Sequence, residues 1–145
     1  MISNINDKLK EAMIDDLSQA VELMKKESDL NKKLFLFSAC YGSTSKTIKF
    51  EYDRELLLLD LILQHTYSQL IARVGLLAKG EKTVPLTPDV FNDLTACIDD
   101  LVLRLKKGQN VYPVLQSLIE IAFKTTGPGY YMELTGKLKP QSSIT

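Results

Sequence analysis

A chain of 145 residues with 45% hydrophobic and 25% charged residues is long enough for one domain with one sizeable core, and its composition excludes wholesale disorder and a collagen-like repeat. Eighteen Lys and Arg balance eighteen Asp and Glu, so no net field draws in a polyanion and nucleic acid is not an expected partner. Cys40 and Cys97, the two cysteines, are too few for a disulfide framework or a metal cluster and read as buried free thiols of a reducing compartment.

Residues 1–16 carry charges every few positions and lack the uninterrupted apolar core of a secretory leader. The densest apolar run, residues 56–63, is broken by Asp60 and is too short to span a bilayer. A soluble, cytoplasmic protein with no membrane partner is the expectation.

In chain order, Leu9, Met13, Leu17, Ala20, Val21 and Met24 recur at three- and four-residue steps, which predicts a first helix over residues 6–27. Ser28 and Asp29 are N-cap candidates for a second helical stretch with Leu30, Leu34, Phe37 and Cys40 on one side. The run Leu34-Phe35-Leu36-Phe37 fits the start of a buried strand equally well, and the alternative stays open. Gly42-Ser43-Thr44-Ser45 then punctuates the chain, and the alternation of Ile48, Phe50 and Tyr52 with charged residues reads with it as a hinge or loop.

The longest helix is expected over residues 51–79, with the seam Leu56, Leu59, Leu63, Tyr67, Leu70, Val74 and Leu77, and Gly80 closing it. Thr87-Pro88-Asp89 opens a fourth helix with a capping hydroxyl, a proline at the first position and an acid at the positive end of the dipole. Its seam is Phe91, Leu94, Ile98, Leu101 and Leu105, and Lys106-Lys107-Gly108 supplies a basic last turn and a stop. Asn110 caps a shorter helix with Val111, Leu115, Leu118 and Ala122 inward, Pro113 being tolerated in the first turn, and Gly127-Pro128-Gly129 ends it. The fold expected is all-α, an antiparallel up-and-down four-helix bundle with an additional short helix or hinge, formed by residues 1–127 and followed by a tail over residues 128–145.

Gly42-Ser43-Thr44-Ser45-Lys46-Thr47 after an apolar stretch, with Asp60 ending another, invites comparison with a phosphate-binding loop. That loop needs two glycines with four residues between them, the second directly before the lysine, so that backbone N–H groups wrap the phosphates; here Ser45 precedes Lys46. His65 is the single histidine, and a di-metal carboxylate bundle would need Glu three residues before a histidine on two helices, whereas Ile62 stands there. No metal site and no Ser-His-Asp or Cys-His set is expected. Arg54, Glu55, Asp60 and His65 are the polar residues in and beside the densest apolar run. Arg54 and His65 share nearly one azimuth three turns apart, either as a solvated stripe or as the lining of a ligand or subunit contact. Because seven of the eight residues 56–63 are apolar, this helix is either central to the bundle or buried between subunits.

Residues 58–105 resemble two consecutive bundle helices and their linker in the corrinoid (cobalamin) adenosyltransferases. The likeness lies in Leu61-Ile62-Leu63-Gln64-His65, in Leu70-Ile71-Ala72-Arg73-Val74-Gly75-Leu76-Leu77-Ala78, and in Leu86-Thr87-Pro88-Asp89-Val90 with Leu94, Ile98 and Asp99. The resemblance implies an up-and-down four-helix bundle whose subunits form trimers with ATP bound between neighbours. The family's Thr-Gly-Asp loop has no counterpart in residues 1–6, and its arginine-rich helix would fall on residues 111–124, which contain no arginine. Nothing there would neutralise a triphosphate leaving group. The functional expectation is a non-enzymatic, self-associating helical bundle, a trimer or dimer with an interaction role and no cofactor. The alternative is a nucleotide- or corrinoid-binding adenosyltransferase-like enzyme taking ATP and cobalamin at a subunit interface near Lys46, Arg54 and His65.

Overall fold

In the computed structural model, which describes residues 2, 5–80 and 86–126 with the last three as backbone alone, five α-helices and no strand are found among the described residues. Helix α1 (Asp7–Lys26) is opened by Asn6, whose side chain accepts from the Lys8 N–H at 2.8 Å, and α2 (Leu30–Ile48) by Asp29, which accepts from the Lys32 N–H at 3.0 Å. Helix α3 (Arg54–Ala78) begins at Asp53, which accepts from the Leu56 N–H at 2.9 Å. Each cap satisfies a backbone donor that the helix itself cannot pair. Helix α4 (Pro88–Lys107) starts as the sequence predicts on Pro88 and Asp89, but the Thr87 hydroxyl makes no capping bond; the proline and the acid mark this start instead. Gly108 ends it at φ 65°, a left-handed conformation that a side chain disfavours. Helix α5 (Tyr112–Thr126) follows Asn110, whose side chain accepts from the Tyr112 N–H at 3.0 Å.

One expectation needs correcting. Residues 42–47 are neither hinge nor loop but the continuation of α2, which also settles residues 34–37 as helix. The hydroxyls that suggested a loop fold back onto the helix, Thr47 Oγ1 donating to the Ser43 carbonyl at 2.8 Å, or reach across to neighbouring helices. The real turn is residues 49–53, where Phe50 and Tyr52 are exposed. The expected tail and the Gly127-Pro128-Gly129 stop lie outside the described residues.

Short turns make α1, α2 and α3 an up-and-down meander and α4 and α5 a hairpin. Helix α1 packs on α2 and α4, α3 on α2 and α5, and α5 on α4, so the five helices close a ring with α2 touching α4 across its middle. Consecutive helices α3 and α4 do not pack together among the described residues. The core is built from the predicted seams: Met13, Leu17 and Met24 of α1, Leu34, Phe37 and Cys40 of α2, Leu56, Leu59, Leu63 and Leu70 of α3, all five α4 seam residues, and Val111, Leu115, Leu118 and Ala122. Val114 and Ile121 join them on α5, while Leu77 is exposed beside a cavity of about 440 Å³ where the start of α2, the end of α3 and the start of α4 meet.

Candidate functional site

Asp60 is the most telling polar residue of the interior. It sits on the α2-facing flank of α3, in the middle of the leucine-rich run, and is only 5% exposed. Its Oδ1 accepts from Thr44 Oγ1 and from Ser45 Oγ, both at 2.7 Å, and its Oδ2 accepts from Gln64 Nε2 at 2.9 Å. Gln64 Nε2 also lies 3.2 Å from Ser45 Oγ, so Ser45 donates to the carboxylate and accepts from the amide. Thr44 Oγ1 stands 3.0 Å from the Tyr41 carbonyl as well, but it has one proton and the shorter, charge-assisted bond to Asp60 claims it. One residue earlier, Ser43 Oγ donates to Asp16 Oδ2 on α1 at 3.2 Å, and Lys46 Nζ reaches the same oxygen at 3.4 Å. Residues 43–46 therefore tie α2 to α1 on one flank and to α3 on the other. With both its oxygens engaged by donors, Asp60 acts as an interhelical clasp.

The three residues singled out from the sequence are not gathered into one site. Arg54 and His65 are both exposed on the outer side of α3, about 16 Å apart along the helix at 1.5 Å per residue. Lys46 is exposed on α2 but turns to Asp16 of α1, away from the outer side of α3. Both thiols are suppressed. Burial pushes Cys40 up to about 12, and burial with the Asp93 and Asp100 carboxylates pushes Cys97 up to about 11, against a lowering by Ser117. Cys97 lies at a groove of about 310 Å³ between α4 and α5 that Val114, Ser117 and Ile121 line from the α5 side. Among the described residues no group of three or more His, Cys, Asp or Glu is placed to hold a metal ion.

The outer side of α3 carries a second row that the sequence reading passed over in favour of the core seam. Leu58, Leu61, His65, Ser68, Ala72 and Gly75 are all exposed, Leu58 at 36% and Leu61 at 51%. Because Val114, Ser117 and Ile121 of α5 face α4, the exposed Tyr112, Ile119 and Phe123 fall on the flank of α5 beside α3 and widen this apolar surface. The signal was present in the sequence: the six α3 positions alternate steps of three and four, offset from the core seam. Asp60 and the hydroxyls of residues 43–45 were likewise visible, but only as a poor phosphate loop. Arg73, 1% exposed on the flank of α3, had no sequence signal that marked it as buried.

The fold and these surfaces define an all-α bundle with an internal polar clasp and, among its exposed apolar side chains, Leu58 and Leu61 on the outer side of α3 and Tyr112, Ile119 and Phe123 on α5. Compared with known proteins, the chain matches no family model, no curated protein and no solved structure. No helix among the described residues is long and apolar enough to cross a membrane.

Proposed function

We propose that this protein is a non-enzymatic, self-associating helical bundle that works through contact with other protein surfaces, as a homo-oligomer. The observation that carries the reading is α3. Its residues 56–63 are apolar almost all round, yet among the described residues α3 lies in the ring with one side open, and Leu58 and Leu61 are exposed there. Contiguous apolar surface of this kind is what a protein-protein contact uses. The separation of Lys46 from Arg54 and His65 gives no support to a shared anion site.

Light scattering across a wide range of protein concentration tests the reading. A dimeric or trimeric mass is expected, and a monomer at every concentration would overturn it. Thermal shift with ATP and with cobalamin is the second arm, since a ligand that binds only the folded chain must raise its midpoint. An unmoved midpoint is expected; a rise with either would favour the adenosyltransferase-like alternative.

A further inference from the structure

Two isoleucines that precede the first helix belong to the core. Ile2 is 2% exposed and Ile5 5%, both within the buried cluster that the five helices share. Neither is held by a helix, since α1 begins at Asp7. Its ladder starts from the Asn6 carbonyl, which accepts from the Lys10 N–H at 3.0 Å, and Asn6 Oδ1 caps the same helix through the Lys8 N–H. The chain upstream of Asn6 thus stands outside the cooperative unit of α1. We infer that it is a strap, which swings away at Asn6 while the five-helix ring stays folded and uncovers an apolar recess that Ile2 and Ile5 fill when it is closed.

Its latch is polar. The Asn6 N–H donates to Glu51 Oε2 at 3.0 Å, which fastens the pivot to the turn of residues 49–53 between α2 and α3. That N–H lies in the peptide plane linking residues 5 and 6, so holding it fixes the direction in which the strap leaves α1. The bond is exposed, and water competes for both of its partners. Glu51 can therefore let go without leaving a buried charge behind, while the Asn6 side chain keeps α1 capped whichever way the strap lies.

Opposing terms of similar size set the balance between closed and open. Burying two isoleucine side chains is favourable, but fixing the backbone that carries them costs conformational entropy. For Leu17 and Leu63 the ladders of α1 and α3 hold the backbone in place; Ile2 and Ile5 have no helical ladder to do so. The strap thus belongs to the low end of the stability scale, where a segment opens without global unfolding. Closed, it seals the core at the end where α1 begins. Open, it leaves a recess the size of two isoleucine side chains, which suits an apolar side chain or a small apolar ligand.

Thiol labelling of the full chain tests the strap. Ile5→Cys and Ile2→Cys, each leaving the other isoleucine in place, report on the strap, and the native Cys40, fully buried on α2, reports on the ring. With maleimide in excess and the sites told apart by peptide mass, the strap thiols are expected to label about a hundredfold faster than Cys40 without urea. Their rate is nearly independent of urea, because local opening exposes little surface, whereas that of Cys40 rises steeply. Glu51→Ala, added to Ile5→Cys, removes the acceptor of the Asn6 N–H; it speeds strap labelling about two- to tenfold and leaves Cys40 unchanged. Strap thiols that share the rate and urea dependence of Cys40 overturn the inference. So do strap thiols that label as fast as a free peptide thiol, and so does a strap rate that Glu51→Ala leaves unmoved.

Discussion

A carboxylate in a leucine-rich helix is tolerable only while its oxygens are occupied, and Asp60 has Thr44, Ser45 and Gln64 to occupy them. Asp60→Ala removes the shared acceptor and leaves the buried Thr44 hydroxyl and its neighbours to find new partners. A loss of about 2 to 4 kcal/mol by urea denaturation is expected; a cost below about 0.5 kcal/mol would show that the clasp contributes nothing. Cys40 makes a pH-dependent contribution of opposite kind. Its folded thiol holds its proton up to about 12, against 9.0 for an exposed thiol. The stability this confers is complete below about pH 9 and is lost as pH rises toward the folded value, on the order of 4 kcal/mol over the full window. Cys40→Ala does not share this loss, so the stability gap between wild type and variant narrows between pH 8 and 10.5. A constant gap would contradict the burial assigned to the thiol.

At the scale of elements, the bounds and seam of α4 were legible, though not the absent Thr87 cap, because several local signals agree: Pro88 at its start, a seam at helical spacing, and Gly108 in the one backbone region that favours glycine. Ile98 stands in the middle of that seam and is fully buried, so Ile98→Ala is expected to cost about 2 to 5 kcal/mol in chemical denaturation. The second half of α2 was illegible for a physical reason. Gly42, Ser43, Thr44, Ser45 and Thr47 are poor helix formers, and sequence alone does not reveal that Asp16 and Asp60 will stand beside them to receive their hydroxyls. Tertiary hydrogen bonds override local propensity there. The same contacts made a phosphate-loop likeness out of what is an interhelical joint.

For the molecule as a whole, the sequence carried the all-α bundle class and nearly all of the core, and the helix contacts arrange the five helices as a ring. The undecided point was whether α3 lies at the centre. It lies at the perimeter, and the leucines of residues 56–63 divide between the core and the outer surface. Leu61 is on the outer side, so Leu61→Lys leaves the fold and thermal midpoint of the isolated chain nearly unchanged, within about 0.5 kcal/mol. The same substitution shifts the mass measured by light scattering toward that of the monomer. A variant that keeps the wild-type mass would move the interface off α3.

The lack of packing between α3 and α4 bears on how the ring assembles. Helices α1 to α3 find their neighbours close along the chain, and so do α4 and α5, whereas the contacts that close the ring, α1 with α4 and α3 with α5, join distant segments. Local pairings form early because little chain entropy is spent on them, and distant ones follow. The meander and the hairpin are thus two cooperative blocks, and opening of the ring releases α4 and α5 together. In native-state hydrogen exchange the slowest amides of these two helices share one opening free energy, distinct from that of α2 at the heart of the meander.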